Sequence, residues 1–185
     1  GLSLPKIATF TLSDGSKHRV LLKGSNDDLR QDAIMEQVFK QVNKILNSNT
    51  ETRKQKLRIR TYEVIPLGPR AGIIEFVANS IPLHNILLEL HSNDELSFDK
   101  ARKIMKAVQN QSIEERVAAY ERITEKIKPQ FRNFFFQSFV EPHEWYDKRL
   151  SYTKGVVTTS IVGYLLGLGD RHLNNILIDK KTGEP

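Results

Sequence analysis

The chain has 185 residues, 39% of them hydrophobic, a formal net charge of +6 and no cysteine. That length and apolar content exclude a disordered polymer and allow one ordinary domain or two small lobes. Without cysteine neither a disulfide framework nor a thiolate zinc site can form, and the basic balance favours acidic partners, phosphates among them.

In chain order, Gly1 to Lys6 lacks the basic-then-apolar order of a signal peptide and reads as a cut made inside a longer chain. Ile7 to Leu12 and Arg19 to Lys23 are strand-like, and Asp14-Gly15 between them predicts a β-hairpin, because glycine readily supplies a positive φ. From Asp28 the period changes. Leu29, Ala33, Val38, Val42, Ile45 and Leu46 recur on one helical face until Asn47-Ser48-Asn49, with Asp27 or Asp28 as the N-cap. The densest basic stretch, Arg53 to Arg58, reads as a solvated connection rather than a nucleic-acid patch. Leu57 to Ile65 and Gly72 to Val77 predict two more strands around the turn-forming Gly68-Pro69, which gives a β-β-α-β-β order.

Ala78-Asn79-Ser80 is a connector, and the chain beyond it reads mostly as helices. Ser112-Ile113-Glu114-Glu115 has the capping-box form and opens a helix expected to run to about Lys128, before Pro129. Phe131, Phe134, Phe135 and Phe139 repeat at helical spacing and are expected in a core, not as a base-stacking platform. Gly155 to Gly169 is the longest uncharged run; it is too short for a bilayer and predicts a buried core helix through Val156, Ile161, Leu165 and Leu166. His18, His84, His91 and His143 share no metal-site spacing and read as surface or satisfied histidines.

The chemistry-bearing residues follow that helix, in Asp170-Arg171-His172-Leu173-Asn174-Asn175. A carboxylate and an amide at this separation, on a loop running into an apolar strand, can orient a hydroxyl and hold a metal in phosphoryl transfer. Asp170-Arg171 alone would equally read as a surface turn with an ion pair. Polar side chains at His172 and Asn175, between a buried helix and a buried strand, are costly unless partners or a ligand satisfy them.

Gly167 to Leu177 resembles the catalytic loop of phosphatidylinositol 3-kinases and their protein-kinase relatives, in which Asp-Arg-His stands where ordinary protein kinases carry His-Arg-Asp. Leu21-Leu22-Lys23-Gly24 followed by Asp27 to Asp32 resembles that group's strand-lysine and helix-acid segment, and Tyr62 to Leu67 resembles the strand before its hinge. Leu4 to Ile7, Asn49 to Lys54 and Ser160 to Tyr164 are similar to the ATM-type branch, and Gly72 to Ser80 is similar to the yeast telomere-maintenance members of that branch. Two positions depart from the pattern: Phe76 stands where many relatives have a tryptophan that stacks on adenine, and the interval from Lys23 to Asp27 is one residue longer than in some relatives.

The resemblance implies an α+β, kinase-like bilobal fold, with residues 1–78 as the N-lobe and hinge and 79–185 as a partial C-lobe ending after the catalytic loop. It implies ATP held through its phosphates by Lys23, with Asp27 or Asp32 as the acid that positions the lysine. Ser13 and Gly15 would lie in the phosphate-covering hairpin, a plain tight turn being the alternative for Gly15. Leu21, Ile74, Phe76, Val77 and Leu177 would wall the adenine, main-chain groups of Glu75 and Val77 would meet its edge, and Tyr62 would sit at the back. Asp170 would accept the substrate proton, His172 would stabilise the transferring phosphoryl group, Arg171 would buttress the loop and Asn175 would ligate Mg2+. The second metal ligand, an Asp, is expected beyond Pro185, so these residues alone are expected to be inactive.

By the same resemblance the protein phosphorylates Ser or Thr followed by Gln in DNA-damage and telomere signalling. It is then a nuclear homodimer, recruited by a double-strand-break-sensing complex, associated with DNA indirectly and not with a membrane. A phosphatidylinositol lipid kinase and a non-catalytic pseudokinase scaffold are the alternatives, with a basic nucleic-acid-binding module as a third.

Overall fold

The computed structural model describes residues 5–24 and 28–185, which divide into two units. The first comprises the described residues up to Ser80, with Ser151–Leu168 and Glu184–Pro185; the second comprises Ile81–Leu150 and Gly169–Gly183. Asp27 and Leu4, both named above, lie outside the described residues.

In the first unit β1 (Lys6–Thr11) and β2 (Lys17–Gly24) form the expected hairpin. Its turn closes through Leu12 N–H to Ser16 O and Gly15 N–H to Leu12 O, each 2.9 Å, with Gly15 at φ 79°. Asp14 Oδ1 accepts the Ser16 N–H at 2.8 Å, and bonds to Ser16 hold the Asp14 carboxyl below its usual range. With β3 (Val64–Gly68) and β4 (Ala71–Glu75) these strands make an antiparallel sheet in the order β1-β2-β4-β3.

Helix α1 (Leu29–Ser48) is capped by Asp28, whose Oδ1 accepts the Arg30 N–H at 3.0 Å. It packs on β3, and Leu29 is 1% exposed. Gly72 sets how closely helix and sheet approach: a Cβ there would lie 2.6 Å from Leu29 Cδ1 and 2.9 Å from Ile65 O. The predicted apolar face is only partly covered. Ile45 is 67% exposed, whereas Glu36, which the pattern passes over, is buried. The asparagine that ends α1, Asn49, also caps a short helix, α2 (Thr50–Lys54), that the pattern did not predict.

The strand expected over Leu57 to Ile65 begins only at Val64. Residues 57–63 instead lie along α1, and long-range side chains take up their backbone groups. The Asn43 amide donates to Ile59 O and accepts from Ile59 N, both at 2.8 Å; Glu36 accepts from Tyr62 N at 3.1 Å; Glu75 Oε2 accepts from Glu63 N at 2.9 Å. Up to Tyr62, side-chain partners stand in for a ladder; at Glu63 the pairing with β4 already begins, its carbonyl accepting from Glu75 N.

Helix α7 (Pro142–Leu166) passes from the second unit into the first. The expectation of a buried helix from Gly155 onward is overturned: Thr158 is buried, but Ile161, Tyr164 and Leu165 are 54%, 82% and 74% exposed. An apolar composition favours cover without supplying it, and the described residues cover this helix only on the Thr158 side.

The second unit contains β5 (Ser80–Pro82, entered from the first unit), paired with β6 (Leu177–Asp179), and helices α3 (Leu83–Leu90), α4 (Phe98–Ala107), α5 (Ile113–Lys126) and α6 (Phe131–Ser138). The capping box is present in both directions, Ser112 Oγ accepting from Glu115 N and Glu115 Oε2 from Ser112 N. The phenylalanine run is core as expected. Phe134, Phe135 and Phe139 are buried, and Phe135 meets Phe131 and Phe134 edge-to-face at 5.6 and 5.1 Å between centroids, the geometry that aromatic quadrupoles favour. His91 is a satisfied histidine, its Nδ1 2.6 Å from Asp94 Oδ2.

Candidate functional site

The candidate residues fall on both units. In the first, Lys23 stands on β2 directly across from Gly72, and Leu21 across from Ile74. Strand alternation puts all four of these residues on one face of the sheet, the face that receives Leu29 of α1. Asp32 is exposed in the first turn of α1. One turn further on, Glu36 is buried and accepts the backbone N–H of Tyr62, and burial raises its carboxyl above the ordinary glutamate range. This acid was missed from the sequence, although an acid at the i+3 position from Ala33, within an apolar stripe, was the available signal.

After β4 the main chain has a free donor. Glu75 N–H donates to Glu63 O at 2.8 Å and Val77 O accepts from Ser80 Oγ at 2.8 Å, but Val77 N–H has no partner among the described residues. The Arg19 guanidinium lies 3.9 Å from the Phe76 ring centroid, so one ring face is covered by a cation. In the β1–β2 turn, Gly15 N–H is consumed by Leu12 O, whereas Ser13 is exposed and makes no hydrogen bond among the described residues.

In the second unit, residues 169–176 form a loop that is pinned at its end: Leu83 N–H donates to Ile176 O at 2.8 Å and His84 N–H to Leu173 O at 3.0 Å. Within it Asp170 has φ 55°, a left-handed backbone that costs a non-glycine residue and persists only where neighbours enforce it. Those neighbours are identifiable. The Asn175 amide donates to both Asp170 O and Asp170 Oδ2 at 2.9 Å, and Arg171 Nε donates to Gly169 O at 2.9 Å. His172 Nδ1 accepts from Asn174 N at 3.2 Å, which assigns the proton of a neutral ring to Nε2, 3.7 Å from Asp170 Oδ1.

The expectation that His172 and Asn175 sit in a costly buried position is overturned: the His172 side chain is 55% exposed and Asn175 is exposed, as is Asp170 at 77%. The arrangement presents an oriented carboxylate to solvent beside an imidazole N–H, the groups needed to take a proton from a hydroxyl and to donate to a nearby oxyanion. The amide oxygen of Asn175 accepts no hydrogen bond among the described residues, so it is available to a hard cation such as Mg2+. Leu177, named for the adenine wall, is on β6 in this unit, 40% exposed beside the buried Ile178.

Residues 19–185 match the phosphatidylinositol 3- and 4-kinase family model. The chain belongs to that family. Among its relatives, "Serine/threonine-protein kinase TEL1" of Kluyveromyces lactis is 80% identical over the whole chain, and that of Saccharomyces cerevisiae is 66% identical; the chain spans 7% of each of these proteins. A solved structure described as "FAT and kinase domain of CtTel1" superposes with a TM-score of 0.91 at 49% identity, covering 97% of this chain and 13% of that one. Another, "Tel1 kinase butterfly symmetric dimer", gives 0.89 at 66% identity, covering the whole chain and 8% of that structure's chain. The kinase-like α+β fold expected from the sequence is therefore the fold of this family member, and the resemblance to the ATM-type branch is carried by these Tel1 relatives.

Proposed function

We propose that this chain is the ATP-binding segment and catalytic loop of a serine/threonine protein kinase. The observation that carries the reading is the Asp170 loop: a carboxylate in enforced left-handed backbone, oriented by Asn175 and flanked by the N–H of His172. Asp170 orients the substrate hydroxyl and accepts its proton, and His172 stabilises the charge that develops on the phosphoryl group. Lys23 holds the α/β-phosphates as a point charge with Asp27 or Asp32 as its acid, Ser13 contacts phosphate oxygens, and the Val77 N–H meets the adenine edge. Asn175 supplies an amide oxygen to Mg2+, which neutralises phosphate oxygens when bound.

Protein rather than lipid is the substrate in this reading, because relatives 80% and 66% identical bear a protein-kinase name. The finer proposal is phosphorylation of Ser or Thr followed by Gln, in a nuclear protein of DNA-damage and telomere signalling that a break-sensing complex recruits. A homodimer is proposed because relatives with this fold are described as symmetric dimers.

The test is phosphorylation of a Ser-Gln peptide by the full-length protein with Mg-ATP, with a phosphoinositide in parallel. Asp170→Asn should lower peptide turnover by on the order of 10²–10⁴. Turnover on the lipid alone would move the chain to the lipid kinases, and activity retained in the variant would remove Asp170 from the chemistry.

A further inference from the structure

The basic run Arg53 to Arg58 has no part in the nucleotide reading, and it does not lie open as a plain connector. Lys40 and Lys44, one turn apart on α1, face Arg53, Lys56 and Arg58 across an open groove of about 470 Å³, wholly within the first unit. The groove has a built floor: the paired bonds between the Asn43 amide and the backbone of Ile59 fix the connector against the helix. Lys56 has φ 55°, so a cation is placed here at a cost in backbone strain.

No carboxylate lines this groove. Lys40 pairs with Glu63 and Arg58 with Glu184, but neither acid is part of the lining. Arg53 reaches a main-chain oxygen, Asn47 O, at 3.4 Å, while the ammonium groups of Lys44 and Lys56 make no hydrogen bond or ion pair among the described residues. The carbonyl end of α1 offsets roughly half a unit charge. Of the five cations that line it, Lys40 and Arg58 are paired with acids, which leaves the charges of Lys44, Arg53 and Lys56 converging on one concavity, where an anion would relieve their mutual repulsion.

We propose that this groove binds a compact soluble polyphosphate, an anion carrying several phosphate groups on one small frame. Arginine forks and lysine point charges together suit clustered phosphate oxygens. A nucleic-acid duplex presents its phosphates as an extended stripe and is matched by cations spread along a surface, whereas these converge.

The probe is inorganic tripolyphosphate, titrated by calorimetry into the full-length protein with the nucleotide site filled by a non-hydrolysable ATP analogue. Lys44→Gln combined with Lys56→Gly should weaken binding at least about tenfold, since each removes a charge-assisted contact. Glycine keeps the left-handed backbone at position 56, so the loss reports charge and not folding. Lys54→Gln, whose residue does not line the groove, should stay within about twofold of wild type. Equal affinities in wild type and the double variant would overturn the proposal. So would a double variant that loses affinity for a duplex oligonucleotide while its tripolyphosphate isotherm is unchanged.

Discussion

The candidate residues of the first unit and those of the second are held by different means. Lys23, Leu21 and Ile74 take their positions from strand pairing and from a helix seated on a glycine, so backbone hydrogen bonds and packing fix them. Asp170, His172 and Asn175 lie on a loop whose shape comes from side chains bonding to main chain, with one residue in strained backbone. The lesson is that damage should separate: changes to the packing that positions the first region cost stability before chemistry, and changes in the second cost chemistry at little expense in stability.

The sharpest way to break this comparison is Asn175→Ala. It removes both bonds that orient Asp170 along with the free amide oxygen, and misplacement of a catalytic group on this scale costs on the order of 10²-fold. Peptide turnover should fall by that much with the melting temperature unchanged; a parallel fall in melting temperature would erase the distinction.

Gly72→Ala should do the reverse. Its Cβ would collide with Leu29 Cδ1 and Ile65 O, and overpacking of this kind costs about 1–3 kcal/mol. Faster amide exchange in β4 and the start of α1 would register it, while the amides of residues 169–176 should exchange as in wild type.

The smallest effect concerns pH. Burial raises the Glu36 carboxyl, so the folded chain keeps that proton to higher pH than the unfolded chain does. Its contribution to stability is complete below the unfolded glutamate value and is lost as pH rises through the raised folded value. Glu36→Gln retains an oxygen for Tyr62 N–H and removes the titration. Protection of the Tyr62 amide in wild type, relative to this variant, should therefore decline as pH rises above the ordinary glutamate range. A flat ratio would mean that the carboxyl is not desolvated.

What was legible in the sequence was local. Asp14-Gly15 and Ser112 to Glu115 announce a turn and a cap because every atom involved lies within a few residues, and both are present. The candidate residues of the 169–176 loop were legible as a set through their order in the chain, but the left-handed Asp170 and the two hydrogen bonds from Asn175 are facts of geometry that residue types do not encode. Residues 57–63 misled because β-branched content argues for a strand, whereas the partners of Ile59 and Tyr62 are the Asn43 and Glu36 side chains on α1. Ile45, Ile161 and Leu165 misled for a related reason: apolar periodicity reports which face seeks cover, not whether cover is present.

The backbone of Asp170 also decides which replacement can be interpreted. Asparagine and aspartate are the side-chain-bearing residues most at home in left-handed conformation. Asparagine at 170 removes the negative charge and the proton acceptor while leaving the chain's path undisturbed. Alanine would add a conformational penalty of about 1 kcal/mol or more to the chemical loss. An inactive allele built on asparagine therefore separates the acid's contribution from that of the bend that carries it.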